Sequence, residues 1–321
     1  MEERKKIVVI CGPTASGKTG LSLVLAKKFG GEIISADSMQ VYKKLDIGTA
    51  KATKEEQTAA PHHLVDFLEP DEPYNVEIFT RLAKEKIEEI SGRGKLPVIT
   101  GGTGLYIESL VNGITFTEQD SDKTVRTNLE KQLQENGKEW LYAKLCEVDP
   151  EYAATVHPNN AVRVMRALEI YYTTGVTMTN QIANSRPKEK PYDVLFLATG
   201  FTDRAKLYEN IDKRVDNMMQ QNVLSEAEYV YKNKDIFVNS AAAIGYKEFF
   251  PYFEGEQTLE ECVDTLKKSS RHYAKRQLTW FNRMKDINWL WVDGKEDYKK
   301  QAVMLTEEFL NGQLKDGPAE N

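Results

Sequence analysis

Residues 12–19, GPTASGKT, fit the spacing GxxxxGK[ST], which grips phosphate mainly through its backbone. Gly12 and Gly17 let the intervening Pro13, Thr14, Ala15 and Ser16 curl so that loop N–H groups point inward. Lys18 adds a full positive charge, and the Thr19 hydroxyl can hold Mg²⁺. The ligand chemistry is that of a di- or triphosphate. Asp37 is the next residue that could act, a carboxylate able to take a proton or hold a metal through water, although its position equally suits a cap or turn. Arg214 could reach the same place or pair on the surface with Asp212 or Asp216. The adjacent His62 and His63 lack the spacing of a metal site.

These groups need a frame. Residues 7–11, IVVIC, read as a strand buried on both faces. Leu21, Val24, Leu25 and Phe29 then form a helical stripe stopped by Gly30 and Gly31, so the loop lies between strand and helix. Residues 32–36 form a second expected strand, delivering Asp37 to the edge where parallel sheets bind ligands. Asn75 caps an expected helix over 76–90, and residues 97–100 are a third strand. That strand runs into Gly101, Gly102, Thr103 and Gly104, where a motor ATPase carries an Asp for Mg²⁺. An NKxD guanine signature is also missing, because Ile236 follows Asn233, Lys234 and Asp235. Nucleotide hydrolysis as the main task is disfavoured.

Residues 119–191 change texture to helices alone, over 123–135, 138–147 and 159–172, before the strand pattern resumes at 194–198. The expectation is an α/β fold: a P-loop core with a mainly parallel sheet flanked by helices, from 1–118 and 192–321, and an all-helical insertion domain from 119–191. Arg163, Arg166 and Glu169 share one helix face there, as a solvated face would. A helix over 203–222 carries Arg214. A longer one over 259–283 interleaves Lys267, Lys268, Arg271, Lys275, Arg276 and Arg283 with His272, Tyr273, Trp280 and Phe281, a mixture that suits single-stranded nucleic acid as well as a partly aromatic core. A last strand is expected over 287–292.

At 321 residues and a net charge of −6, the chain argues mildly against nucleic acid on average, yet 267–285 holds seven basic residues and no acidic one. No apolar run approaches a membrane span, and the opening MEERKK lacks the apolar stretch of a signal peptide. Cys11, Cys146 and Cys262 are odd in number and far apart, which suits a reducing cytoplasm.

Eight blocks together carry a specific resemblance: GPTASGKT at 12–19, ISADSMQVY at 34–42, DIGTAK at 46–51, HHLVD at 62–66, GGTGLY at 101–106, RVMRALEIY at 163–171, IGYKE at 244–248 and AKRQLTWF at 274–281. In this order they resemble the bacterial tRNA dimethylallyltransferases. The resemblance implies transfer of a dimethylallyl group from dimethylallyl diphosphate to the exocyclic amine of the adenine 3′-adjacent to the anticodon. It implies that the loop holds the donor's diphosphate with Mg²⁺ at Thr19, that Asp37 is the general base, that Arg214 binds diphosphate, and that Thr103 contacts the target nucleotide. For the tRNA anticodon loop it implies contacts from Asp37, Ser38, Met39, Gln40, Thr103, Arg126, Arg163 and Arg166, from Ala242, Ala243, Ile244, Gly245, Tyr246 and Lys247, and from Lys275, Arg276 and Gln277. A cytoplasmic monomer is the expected state. Two positions depart from the family pattern. Val162 stands where Gln is common, and Ala242 and Ala243 stand where many members are polar, leaving readout by that loop to its backbone and Lys247. The rival readings are a small-molecule or nucleoside kinase, which shares the loop and the carboxylate, and a non-catalytic RNA-binding protein.

Overall fold

The computed structural model describes residues 4–116, 123–185, 187 and 189–313. The chain forms two compact units, Met1–Val111 with Pro191–Asn321, and Asn112–Lys190. The boundary expected at 118–119 lies outside the described residues.

In chain order the first unit begins with β1 (Lys5–Cys11), α1 (Lys18–Phe29), β2 (Glu32–Ser35), α2 (Lys54–Ala59), β3 (His62–His63), α3 (Val76–Gly92), β4 (Pro97–Thr100) and α4 (Gly104–Val111). The second unit holds α5 (Lys123–Val148), α6 (Pro150–Ala153), α7 (Ala161–Thr174) and α8 (Met178–Ser185). The first unit resumes with β5 (Tyr192–Gly200), α9 (Arg204–Gln220), α10 (Val223–Lys232), α11 (Phe250–Phe253), α12 (Leu259–Phe281), β6 (Ile287–Trp291) and α13 (Tyr298–Leu310).

Six parallel strands form one sheet in the order β3-β2-β4-β1-β5-β6. β1 is central, with Val8 opposite both Val98 of β4 and Leu195 of β5. Because side chains alternate along a strand, β1 supplies both faces of the sheet. Ile7, Val9 and Cys11 join Phe79, Ile87 and Phe281 on one side, while Val8 and Ile10 join Leu21, Leu25 and Phe309 on the other. The C-terminal ends of β1, β2 and β4 bring the loops at 12–17, 36–40 and 101–103 to one edge, where the strand order reverses.

At the opposite end of β2, Glu32 is buried and takes bonds from His63 Nε2 (2.7 Å), Arg93 Nη2 (2.8 Å) and Lys95 Nζ (2.8 Å). The paired histidines thus form an edge strand, and one of them, His63, hydrogen-bonds a buried carboxylate. In the second unit, α5 breaks at Gly137 (φ 81°, ψ 178°) into the two helices expected from the pattern. A separate core of Leu129, Leu141, Leu145, Val164 and Leu168 fills that unit. Asp149 caps α6 and also bonds Thr179 N (2.9 Å) and Thr179 Oγ1 (2.6 Å).

Candidate active site

The phosphate loop is held in shape by groups outside it. Gly12 has a φ of 135°, and a Cβ there would lie 2.4 Å from Thr199 O, so only glycine fits beside β5. Ser16 Oγ donates to Pro13 O (2.7 Å) and shares a 2.6 Å bond with Thr199 Oγ1. Thr14 N donates to Gln277 Oε1 (2.8 Å), so this amide is used within the chain. The amides of Ala15, Ser16, Gly17, Lys18 and Thr19 meet no acceptor among the described residues. They form a ready anion site at the N-terminus of α1. Lys18 Nζ rests on Pro13 O at 2.6 Å, and burial together with the Arg214 charge lowers its ammonium to about 8, against the pull of Asp37.

Asp37 forms a turn with one of its oxygens and leaves the other unbonded. Its Oδ1 accepts from Met39 N (2.8 Å) and Gln40 N (3.2 Å), making a turn, while Oδ2 accepts no hydrogen bond from the described residues. Arg214, on α9, is free of the expected surface pairing. Asp212 is taken by Arg271 (2.5 Å) and Asp216 by Lys267 (2.6 Å), and burial lowers the Arg214 guanidinium from its usual range while Asp37 raises it.

One cleft of about 390 Å³ gathers Thr14, Ala15, Ser16, Gly17, Lys18 and Thr19 with Asp37, Ser38, Met39, Gln40 and Arg214. From later in the chain it adds Ala242, Ala243, Ile244, Gly245, Lys247, Arg276 and Gln277. Among its lining residues Lys18, Arg214, Lys247 and Arg276 face a single carboxylate, Asp37, so the cleft favours an anion although the chain as a whole is acidic. Beside the charges runs an apolar wall that the motif reading missed: Ile211, Val215 and Met218 of α9 and Leu266 of α12. The available signal was the i, i+4, i+7 spacing of the first three, which sets Arg214 on the same helix face. Tyr273 also lines the cleft, its phenol pushed up to about 12 by burial and then by Asp37.

Several expected contact residues are placed differently. Gly12, Pro13, Thr103, Tyr246 and Lys275 do not line the cleft. Thr103 N donates to Ala36 O (3.3 Å), and its hydroxyl is buried without a hydrogen bond of ordinary geometry, interacting weakly with the Tyr273 phenol. Tyr246 is fully buried, and its hydroxyl donates to Glu226 (2.9 Å), so its side chain is engaged inside the protein. Gln277 is likewise buried, its Nε2 donating to Gly102 O (3.0 Å), so it ties the phosphate loop to the loop after β4. Gln40 donates to Thr49 O (3.3 Å) and Ala50 O (3.2 Å) and accepts from Ser35 Oγ (3.3 Å). The glycines after β4 have a packing cause: a Cβ on Gly102 would meet Gln277 Nε2 at 2.1 Å and one on Gly104 the Trp280 ring at 2.5 Å.

In the second unit, Glu169 is buried and gathers Arg166 (3.0 Å) and Arg126 (3.6 Å), while Arg163 is exposed and Val162 is 76% exposed. The described residues hold no cluster of three or more His, Cys, Asp or Glu suited to a metal. Mg²⁺ brought in on phosphate oxygens needs few protein ligands, and the Thr19 hydroxyl, without a hydrogen-bond partner among the described residues, fits that requirement. No described helix is long and apolar enough to cross a membrane.

Comparison with known proteins matches residues 40–284 to the IPP transferase family and residues 5–64 to a family described as isopentenyl transferase. A tRNA dimethylallyltransferase of Bacillus cereus (strain AH187) is 49% identical over 313 residues, covering 97% of this chain and 96% of its own. One from Bacillus cytotoxicus is 46% identical over 314 residues, covering 98% and 97%. Among solved structures, the full-length tRNA isopentenylpyrophosphate transferase of Bacillus halodurans is similar with a TM-score of 0.70 and 42% identity, covering 97% of each chain. A eukaryotic dimethylallyltransferase acting on tRNA reaches a TM-score of 0.81 at 31% identity, covering 99% of this chain and 81% of its own. None of these relatives is a kinase, and that alternative is set aside.

Proposed function

The chain belongs to the IPP transferase family, and from that membership we propose that it transfers a dimethylallyl group from dimethylallyl diphosphate to the exocyclic amine of the adenine 3′-adjacent to the anticodon of tRNA. The observation that carries the reading is the cleft itself, in which an anion cradle, a free carboxylate oxygen and an apolar wall adjoin.

The diphosphate sits on the amides of Ala15, Ser16, Gly17, Lys18 and Thr19, with the Lys18 and Arg214 charges beside it. The five-carbon chain lies along the apolar side chains of Ile211, Val215, Met218 and Leu266. The adenine amine is a weak nucleophile because its lone pair is delocalised into the ring. Asp37 Oδ2 takes its proton as the N–C bond forms and the C–O bond to diphosphate breaks. Charge growing on the departing diphosphate is met by the same amides and cations. Mg²⁺, when bound, would be held by Thr19 and phosphate oxygens and would neutralise part of that charge. The Thr103 hydroxyl, buried beside the Tyr273 phenol, meets the target nucleotide only if it turns from that neighbour. The base must leave its stack to enter, so it is flipped inward. Exposed Lys275 and Arg276 of α12 and Lys247 meet RNA phosphates, as do Arg126, Arg163 and Arg166 of the second unit, and the enzyme works as a cytoplasmic monomer.

The test supplies the protein with unmodified tRNA and either dimethylallyl diphosphate or ATP, then weighs the digested nucleosides. Prenylated adenosine from the first donor alone is the expected result. Asp37→Ala should cut its formation about 10²-fold or more with tRNA affinity nearly intact. Phosphorylated product from ATP with none from the prenyl donor would sink the reading.

A further inference from the structure

Two loops outside the phosphate loop line part of the cleft: Gly48, Thr49 and Ala50 from one, Ala243, Ile244 and Gly245 from the other. Neither borders the other in sequence. They meet at Glu226, a half-buried residue of α10 that no motif singles out. Glu226 Oε1 accepts from Asp46 N (3.0 Å) and Ile47 N (2.9 Å), and Oε2 accepts from Ile47 N (3.0 Å), Gly48 N (3.1 Å) and the Tyr246 hydroxyl (2.9 Å). No Lys, Arg or His pairs with it among the described residues. Its charge is held instead by three successive backbone N–H groups and one phenol, and bonds to an ionised acceptor are the strong kind.

The two loops also interlock sterically. The Tyr246 ring lies over Gly48, where a Cβ would approach it to 2.4 Å, and a Cβ on Gly245 would come within 2.9 Å of Gly48 O. From this joint the bonding runs on toward the carboxylate of the site. Thr49 O and Ala50 O accept from Gln40 Nε2, and Gln40 N donates to Asp37 Oδ1. Lys51 fixes the far end of the loop through Tyr42 O (2.7 Å) and Asp66 (2.7 Å). The phosphate loop stands outside this chain of bonds, being held by Thr199 and Gln277.

We propose that Glu226 is a positioning residue for the acceptor: by clamping the 46–50 loop to the 242–247 loop it fixes the wall against which the acceptor base seats opposite Asp37. The assignment rests on the transfer to tRNA proposed above, and it makes an asymmetric claim. Loss of the clamp should loosen the acceptor side and leave the donor side alone, whereas a residue that merely stabilises the fold would damage both.

Glu226→Gln keeps the shape but turns an NH₂ toward backbone N–H groups, leaving donor against donor. In the full-length protein it should lower kcat/KM for unmodified tRNA about tenfold or more, chiefly through KM. The Kd for dimethylallyl diphosphate, measured by calorimetry, should stay within about twofold of the parent. Tyr246→Phe removes one bond and spares the backbone nest, so it should shift the tRNA KM in the same direction by less, and it stands in if Glu226→Gln does not fold. An unchanged tRNA KM in the folded variant, or equal losses in donor affinity and tRNA KM, would overturn the assignment alone. A parent protein that does not prenylate tRNA would overturn the reading beneath it as well.

Discussion

Lys18 carries its charge against its surroundings. Burial and the neighbouring Arg214 bring its ammonium down to about 8, and only Asp37 among the nearby side chains of the cleft offsets them. A diphosphate seated on the loop restores the preference for the charged form, so binding takes up a proton wherever the free enzyme has lost one. The free group titrates near 8 and the bound group higher, so affinity is full below pH 8 and declines as pH rises through it. The Kd for the prenyl diphosphate should weaken about tenfold between pH 7 and pH 9, and Lys18→Met should bind weakly with a flat profile. A flat profile in the parent, read by calorimetry across that range, would assign the affinity to the loop amides alone. Lys18 and the glycines of its loop were plain in the sequence because their chemistry is set by local spacing. The second oxygen of Asp37 was not, because whether a carboxylate is consumed by its own turn depends on where the next backbone amides fall. Glu226 was silent for a similar reason: its backbone partners lie about 180 residues away, and a lone Glu on a helix has no local signature.

At the scale of elements, α12 is the instructive case. Its basic residues form two populations that composition cannot separate. Lys267 and Arg271 lie four apart and meet Asp216 and Asp212, also four apart on α9, in an antiparallel ladder that ties the two helices. Lys275 and Arg276 are exposed, with Arg276 lying 5.5 Å from the Tyr273 ring. Neutralising Lys275 and Arg276 should therefore lower the slope of log affinity for tRNA against log salt by about 1 per residue. Neutralising Lys267 and Arg271 should leave that slope unchanged while loosening the helix pair, and filter binding across a potassium chloride series distinguishes the two. The strands beginning at Lys5, Glu32, Pro97, Tyr192 and Ile287 were legible because buried parallel strands are written as apolar runs. β3 was not, since its two histidines carry no periodicity and become a strand only because Ile33 and Ile34 of β2 offer an edge. α4 was hidden behind a glycine-rich start whose glycines serve the seat of Trp280 and Gln277 and not flexibility.

At the scale of the molecule, the sheet carries a second charged cluster at the end away from the cleft. Glu32, at the N-terminal end of β2, would be raised by burial alone, but bonds from Lys95 and His63 and the charge of Arg93 bring it down to about 2. A depressed carboxylate contributes stability that is present above its unfolded value of 4.5 and lost as pH falls through about 2. Glu32→Gln should cost about 1–2 kcal/mol at pH 7, a figure held down by the half-exposed Arg93 and Lys95. In urea unfolding the gap to the parent should close as the solution is acidified through that window, and a gap independent of pH would assign the loss to packing. The register of the central strand has a consequence for how the polypeptide is made. β1 pairs with β5, whose first partner residue is Tyr192, so the strand that launches the phosphate loop leaves the ribosome early and lacks one of its two neighbours through the synthesis of everything between. At the usual 5–20 residues per second that interval is roughly ten to forty seconds. During it the second unit, with a core of its own, can form first, and an apolar strand edge stays open to chaperones or to other nascent chains until β5 arrives.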